Sequence, residues 1–266
     1  MSLSLRGVRM GALALGIPGV LLTVYFHWLI FFEVPTEASM GIVQRIFYIH
    51  LPAAWIAFLA FGIVALCSAV YLWLGEEKLD QAARSAAEGG VIFTTIVLTS
   101  GPLWGKLAWG TWWTWEPRLT LTLLLWFIYL GYFMVRNATE TPERGKRFAA
   151  VVGIVGALNI PLIHMSVLWF RSLHPQPVVA RTDGPQLDPQ MLNALLWALA
   201  AWTLLFFALF LLRYGTARLE GEVEAREAAA RRRPSAPASA GPGPSGPASP
   251  GPVSPGPGTS SAGGSG

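Results

Sequence analysis

Six long apolar runs divide the chain, and they constrain its fold more than any other feature. They cover residues 10–32, 46–74, 87–103, 119–135, 148–168 and 191–212. A helix needs about 20 apolar residues to cross the hydrocarbon core of a bilayer, because lipid offers no partner for an exposed backbone polar group. The first run is longer than the roughly 15 apolar residues of a signal peptide. The runs therefore predict an all-α polytopic membrane protein with six transmembrane helices, the first of them retained.

The composition agrees with a membrane protein and excludes several other classes. Hydrophobic residues make up 53% of the chain and charged residues 13%, against about 25% charged residues in a typical soluble domain. The formal charge of +4 comes from residues that flank the apolar runs instead of forming a patch, so nucleic acid is not an expected partner. The single cysteine, Cys67, lies in an apolar run, which excludes a disulfide or a cysteine metal site within this chain.

The distribution of Lys and Arg predicts the orientation of the helices. The amino terminus, the second and fourth loops and the carboxyl-terminal region hold 14 of the 19 Lys and Arg residues, and the other three loops hold 5. Lys and Arg stay preferentially on the cytoplasmic side of a membrane. Both termini are therefore expected to be cytoplasmic, with the first, third and fifth loops outside.

Composition also predicts three parts along the chain. Residues 1–213 form the six-helix membrane domain, and residues 214–233 form a charged helical cytoplasmic extension. Residues 234–266 consist almost wholly of Pro, Gly, Ser and Ala, with Val253 as their only large apolar side chain. Such a segment cannot bury a core that would offset the entropy of ordering it, so we predict a disordered tail.

The third loop concentrates tryptophan. Of the 12 tryptophans in the chain, five lie between residues 104 and 115, in a loop that also carries a lysine, an arginine and a glutamate. An aromatic belt at the membrane interface is one explanation, but a belt is normally spread over several helix ends. Glycines within the loop allow close approach of a backbone, so a binding platform for a flat amphipathic ligand is favoured. Its residues are Trp104, Trp109, Trp112, Trp113, Trp115, Lys106, Glu116 and Arg118.

Two histidines are expected on the same face as the tryptophan loop. His50 lies at the outer start of the second helix, and His174 lies in the fifth loop. Imidazole is the commonest neutral metal ligand, but from the residues alone each is also explained as an ordinary interfacial histidine. His164, at the outer end of the fifth helix, is either a ligand or a hydrogen-bonded core histidine. His27 in the first helix is expected to be interfacial.

Residues 109–120, WGTWWTWEPRLT in one-letter code, resemble the tryptophan-rich WWD signature of haem-handling proteins in cytochrome c biogenesis. The family pattern is W-G-x-W-W-x-W-D-x-R-L-T, and this chain departs from it only at Glu116, where the family has Asp. Residues 48–54 and 163–167 resemble the CcmC branch, as do the six helices and the length. The larger relatives CcmF and CcsA/CcsB carry more helices. The resemblance covers residues 1 to about 213.

The resemblance implies a site and a cargo. Haem b would bind non-covalently on the periplasmic side of a bacterial inner membrane, with its edge toward the tryptophans and with His50 and His174 as the axial iron ligands. Lys106, Arg118 and Arg45 are the cations expected to meet the haem propionates, and Glu116 is expected to anchor Arg118 or the loop. His164 also matches a family position, but it is carried over as a supporting residue near haem and not as an iron ligand.

The resemblance also implies partners: the CcmA/CcmB transporter, the small protein CcmD and the haem chaperone CcmE, which receives the haem. The chain has no Walker A phosphate loop, so ATP hydrolysis is expected only in partner subunits and no catalysis is expected here. Two other classes are weighed against this one. A membrane redox cytochrome would bury both histidine ligands within its helices, and a secondary transporter would show charged or unwound sites near the bilayer midplane.

Overall fold

The computed structural model describes residues 5–170, 173–174, 178–179 and 184–232, together with Gly251 and Gly256. Within this part of the chain there are seven α-helices and no strand. The helices are α1 (Leu5–Trp28), α2 (Phe47–Leu74), α3 (Glu77–Trp109), α4 (Pro117–Asn137), α5 (Pro142–Ala157), α6 (Asn159–Trp169) and α7 (Pro189–Arg232). A π-helical turn, Leu29–Glu33, continues α1, and a 3-10 turn, Ile42–Ile46, leads into α2.

Six helical segments of the described residues are long and apolar enough to cross a membrane, with α5 and α6 together forming the fifth. This finding confirms the predicted fold class. The predicted tail, residues 234–266, lies outside the described residues except for two glycines. The division of the chain into residues 1–213, 214–233 and 234–266 stays a prediction.

Helix α3 is much longer than the apolar run that predicted it. It begins at Glu77 and ends at Trp109, whereas the run covers residues 87–103. Its first turns carry charged residues that are paired with other helices. Buried Asp80 accepts from Arg136 of α4 through both carboxylate oxygens, with Oδ1 2.6 Å from Nη1. Glu77 Oε1 lies 2.7 Å from Nζ of Lys146 in α5. Paired charges let a helix continue beyond the point where hydropathy ends.

The fifth membrane segment is broken between α5 and α6. Pro161 has no N–H, so it cannot bond to the carbonyl of Ala157 one turn earlier, and α5 ends at that residue. Next to the break, the side-chain Nδ2 of Asn159 donates to the carbonyl of Leu121 in α4 at 2.8 Å. The break therefore joins the fifth segment to α4, whose first turn carries part of the site.

Within the compact unit Met1–Val223, α1 packs against α7 through small residues. A side chain added at Gly19 would place its Cβ 3.0 Å from Leu205 Cγ, and one at Gly16 would lie 3.4 Å from Ala208 Cβ. Such close contacts between small residues are typical of helix packing in membranes. In the second unit, Glu224–Gly266, residues 224–232 are helical.

Candidate functional site

A cavity opens where α3 ends and α4 begins. Its walls come from α2, α3, α4 and α6 and from the non-helical segments 110–116 and 173–174. The space between these walls is about 1040 Å³ and includes open solvent. Eight of the twelve predicted site residues line it: His50, His174, Trp104, Trp109, Trp112, Trp113, Glu116 and Arg118.

The two predicted iron ligands line this one cavity although they are far apart in sequence. His50 lies in the first turn of α2, half-buried, with Nδ1 2.9 Å from Ser100 Oγ. Its ring meets the Trp104 indole edge-on, with 5.9 Å between the ring centroids. His174 lies in the non-helical segment after α6 and is also half-buried. Bis-histidine ligation of one iron needs two imidazoles on the walls of one cavity, and His50 and His174 meet this first condition.

The tryptophan-rich stretch is only partly a loop. Because α3 continues to Trp109, the indoles of Trp104 and Trp109 stand on its last two turns, stacked with their centroids 6.3 Å apart. Gly110 ends the helix with φ +79°, a conformation that glycine adopts without strain. Trp112 and Trp113 then follow in the non-helical segment. The predicted loop is therefore too long, because residues 104–109 belong to the end of α3.

Four predicted residues are not on the cavity wall. The Arg45 guanidinium lies over the Phe31 ring, 5.4 Å from its centroid. The Lys106 ammonium donates to the carbonyl of Gly110 at 3.1 Å, at the end of α3 where carbonyls lack helical partners. Trp115 is 75% exposed and packs edge-on against Trp113. His164 is exposed on α6, although the preceding Ile163 is buried and lines the wall.

Glu116 joins the two non-helical segments of the site. Its Oε2 accepts from the backbone N–H of Leu173 at 3.0 Å. Glu116 is also the residue that precedes α4, and its carbonyl accepts the first helical bond, from Thr120. The carboxylate thus fastens the segment that carries His174 to the start of α4. Of the two predicted roles for Glu116, this contact supports anchoring of the loop.

One part of the cavity wall is apolar, and it was not predicted from the sequence. Its walls include Ala54, Ala57 and Phe58 of α2, which follow His50 along one helical face, together with Val97 of α3 and Leu125 of α4. The sequence feature that could have predicted this wall is the pair of alanines four and seven positions after His50. Small side chains at these positions leave space between the helices.

Two buried indole nitrogens lack an acceptor within the part of the chain that the structure describes. The Nε1 atoms of Trp104 and Trp113 are buried, and no hydrogen-bond partner for them exists among the described residues. Buried N–H groups in proteins are nearly always paired, so each exception calls for an explanation. Trp104 and Trp113 both line the cavity, where a ligand with acceptor oxygens would satisfy such donors.

Trp104 also lines a second cavity, whose space of about 1100 Å³ includes open solvent. Glu37 lies on its wall, in the turn between α1 and α2. Its carboxylate accepts the backbone N–H groups of Met40 at 2.5 Å and Ser39 at 2.9 Å. These two bonds, with one from the Ser39 hydroxyl, lower the pKa of Glu37 below its ordinary value of 4.5.

The chain is similar to known proteins. The family model of CcmC, heme exporter protein C, matches residues 7–229. The chain belongs to the heme exporter protein C family. The relative from Bradyrhizobium diazoefficiens is 40% identical over 177 residues, covering 66% of this chain and 67% of the relative. The one from Escherichia coli is 34% identical over 194 residues, covering 73% and 78%. The one from Rhodobacter capsulatus is 32% identical over 201 residues, covering 75% and 81%. All three are named heme exporter protein C.

Membership in the heme exporter protein C family confirms the resemblance seen in residues 109–120. The matched region contains every residue that lines the cavity, and it ends before the Pro-, Gly- and Ser-rich tail. What the family model covers is therefore the membrane-spanning part together with the first turns of the charged helical stretch.

Proposed function

We propose that this protein binds haem b non-covalently in the cavity, on the periplasmic face of a bacterial inner membrane, and delivers it to a haem chaperone for cytochrome c maturation. The observation that carries this proposal is that His50 and His174 line the same cavity as the tryptophans. The names of the curated relatives support haem as the cargo.

The residues of the cavity fit the chemistry of haem. Haem iron accepts two imidazoles as axial ligands, and the indoles and the apolar part of the wall suit the porphyrin. The haem propionates need cations or N–H donors. Arg118 is half-buried on the wall, and no carboxylate of the described residues lies within ion-pair distance of it. It is the cation that we propose meets a propionate, and the indole N–H groups of Trp104 and Trp113 are further donors.

The way the second histidine is held suits a carrier better than a resident cofactor site. His174 stands on a non-helical segment after α6, and Glu116 accepts a hydrogen bond from the Leu173 N–H of this segment. A ligand that lies outside the helices can leave the iron without any helix unfolding, so one axial ligand can be released while the other stays. A redox cytochrome would hold both ligands within helices, and here only His50 is in one.

The partners that we propose follow from this role. A haem chaperone of the CcmE kind would receive haem at the open side of the cavity, and CcmA/CcmB with CcmD would form the surrounding complex. Hydrolysis of ATP would belong to those subunits, and this chain would bind and transfer haem without catalysing a reaction.

Absorption spectroscopy of the purified protein tests the proposal. The full chain would be produced with and without added haem precursor and purified in detergent, as wild type and as His50→Ala and His174→Ala. We expect each variant to lose most of the bound haem or to show a five-coordinate spectrum, because one axial ligand is gone. Imidazole added to either variant is expected to restore the six-coordinate spectrum.

His164→Ala is the matched control, because His164 is a histidine near the site whose side chain is exposed on α6. It is expected to keep the wild-type haem spectrum. Loss of haem in His164→Ala alone would refute the ligand pair, and absence of haem from every preparation would refute haem as the cargo.

The side of the membrane needs its own measurement. Alkaline phosphatase is active only outside the cytoplasm, so it would be fused after residue 39, in the turn between α1 and α2, or after residue 139, between α4 and α5. We expect activity from the first fusion and none from the second. The reverse result would place the cavity on the cytoplasmic face and refute delivery to a periplasmic chaperone.

A further inference from the structure

The imidazole of His50 lies against α3, and Ser100 contacts one of its nitrogens. Ser100 Oγ is 2.9 Å from His50 Nδ1. The same oxygen is 2.6 Å from the carbonyl oxygen of Ile96, one helical turn earlier. A carbonyl oxygen only accepts hydrogen bonds, so the single hydroxyl proton of Ser100 lies between Oγ and this carbonyl. Ser100 Oγ is left as an acceptor for His50.

The direction of this bond decides which nitrogen of His50 carries the proton. Nδ1 must be protonated in order to donate to Ser100 Oγ. A neutral imidazole has one N–H, so Nε2 keeps its lone pair. Among the described residues, none hydrogen-bonds to Nε2. The nitrogen that remains for a metal is therefore already unprotonated before the metal arrives.

Two more α3 residues hold the ring in place. A Cβ added at Gly101 would lie 3.2 Å from His50 Cε1, closer than ordinary van der Waals contact, so glycine at position 101 lets α3 approach the ring without a shift of either group. Trp104, one turn after Ser100, meets the ring edge-on. Ser100, Gly101 and Trp104 of α3 thus form the surface against which the His50 imidazole of α2 packs.

We propose that Ser100 is a positioning residue that fixes His50 as its Nδ1–H tautomer and presents an unprotonated Nε2 to haem iron. This inference rests on the proposed function, because it takes His50 as an iron ligand. Donation from the second ring nitrogen makes a ligand imidazole more basic, and loss of such a partner lowers metal affinity by about 10- to 100-fold. A serine hydroxyl is a neutral acceptor, so we expect the lower end of this range.

The first arm of the test needs no haem. The tautomer of His50 would be read from the ¹⁵N chemical shifts of its ring in the full-length, haem-free protein in lipid nanodiscs. The His50→Ala spectrum assigns the signals. Wild type is expected to show the Nδ1–H form, and Ser100→Ala is expected to shift toward the Nε2–H form that free histidine prefers. Ser100→Thr keeps a hydroxyl and is expected to restore the wild-type tautomer.

The second arm measures haem. We expect Ser100→Ala to bind haem about tenfold more weakly and to raise the haem midpoint potential, because a less basic ligand stabilises ferric iron less. Thr99→Ala is the matched control, since its hydroxyl bonds only to backbone carbonyls of α3 and not to a histidine. It should leave the tautomer, the affinity and the potential unchanged.

The outcomes separate this inference from the function on which it rests. An unchanged His50 tautomer in Ser100→Ala, or haem affinity and potential equal to those of Thr99→Ala, would overturn the role of Ser100. A normal six-coordinate haem spectrum in His50→Ala would instead overturn His50 as a ligand, whatever its tautomer in the haem-free protein.

Discussion

Replacing Asp80 by Asn tests the ion pair that joins α3 to α4 at the ends of these helices away from the cavity. Asp80 is 2% exposed and the side chain of Arg136 is 12% exposed, and the guanidinium meets both carboxylate oxygens. Asp80→Asn keeps the shape of the side chain but leaves the arginine as an unpaired buried charge. Removing one partner of a buried ion pair costs about 3–5 kcal/mol.

We therefore expect the free energy of unfolding to fall by about 3 kcal/mol in Asp80→Asn, the lower value because a long arginine side chain can reach toward the membrane edge. Arg136→Met should cost a similar amount. The double variant Asp80→Leu with Arg136→Met should recover most of the loss, because a buried pair replaced by apolar residues leaves no charge unpaired.

Unfolding would be followed by tryptophan fluorescence as the proportion of SDS in mixed micelles is raised. Haem affinity per folded molecule should stay unchanged, because Asp80 lies in the first turn of α3 and the cavity lies at its other end. A loss below about 0.5 kcal/mol in both single variants, typical of surface substitutions, would refute the buried pair.

Three further predictions concern other contacts. Glu116→Ala should weaken haem binding roughly fivefold, since an exposed charge-assisted hydrogen bond contributes about 1 kcal/mol. Glu116→Asp keeps the carboxylate, so it should bind haem better than the alanine variant in the same titration. Gly90→Ala should lower the free energy of unfolding by about 1–3 kcal/mol, because the added Cβ would overlap the ring of buried Tyr129. Gly62 has open space around it, so Gly62→Ala should leave the SDS unfolding transition nearly unchanged. The lowered pKa of Glu37 means that its carboxylate stabilises the turn at neutral pH and that this contribution is lost only as pH falls through a value below 4.5; a ¹³C carboxyl titration midpoint at or above 4.5 would contradict it.

The apolar runs predicted the number and order of the membrane segments because lipid imposes a minimum length on each one. They did not predict where α3 begins and ends. Its first turns are charged, and their stability depends on partners such as Arg136 in other helices, which hydropathy along one segment does not report. The break between α5 and α6 was missed for a related reason, since Pro161 lies inside a run that is apolar throughout.

The candidate site was predictable where residue type alone carries the chemistry. The tryptophan cluster and the histidines were identified from their identities and their positions relative to the apolar runs. That His50 and His174 line one cavity is a tertiary fact, which no spacing in the sequence encodes. The contact from Ser100 to His50 depends on the register of α2 against α3, and a serine within an apolar helix gives no sign of its partner.

Electron paramagnetic resonance of the ferric haem complex tests the central claim most directly, because its signal distinguishes two imidazole ligands from one. If His50 and His174 both bind the iron, wild type will show a low-spin bis-imidazole signal, and His50→Ala and His174→Ala will each convert it to high spin. A low-spin signal that persists when both histidines are replaced by alanine in one chain would contradict the account.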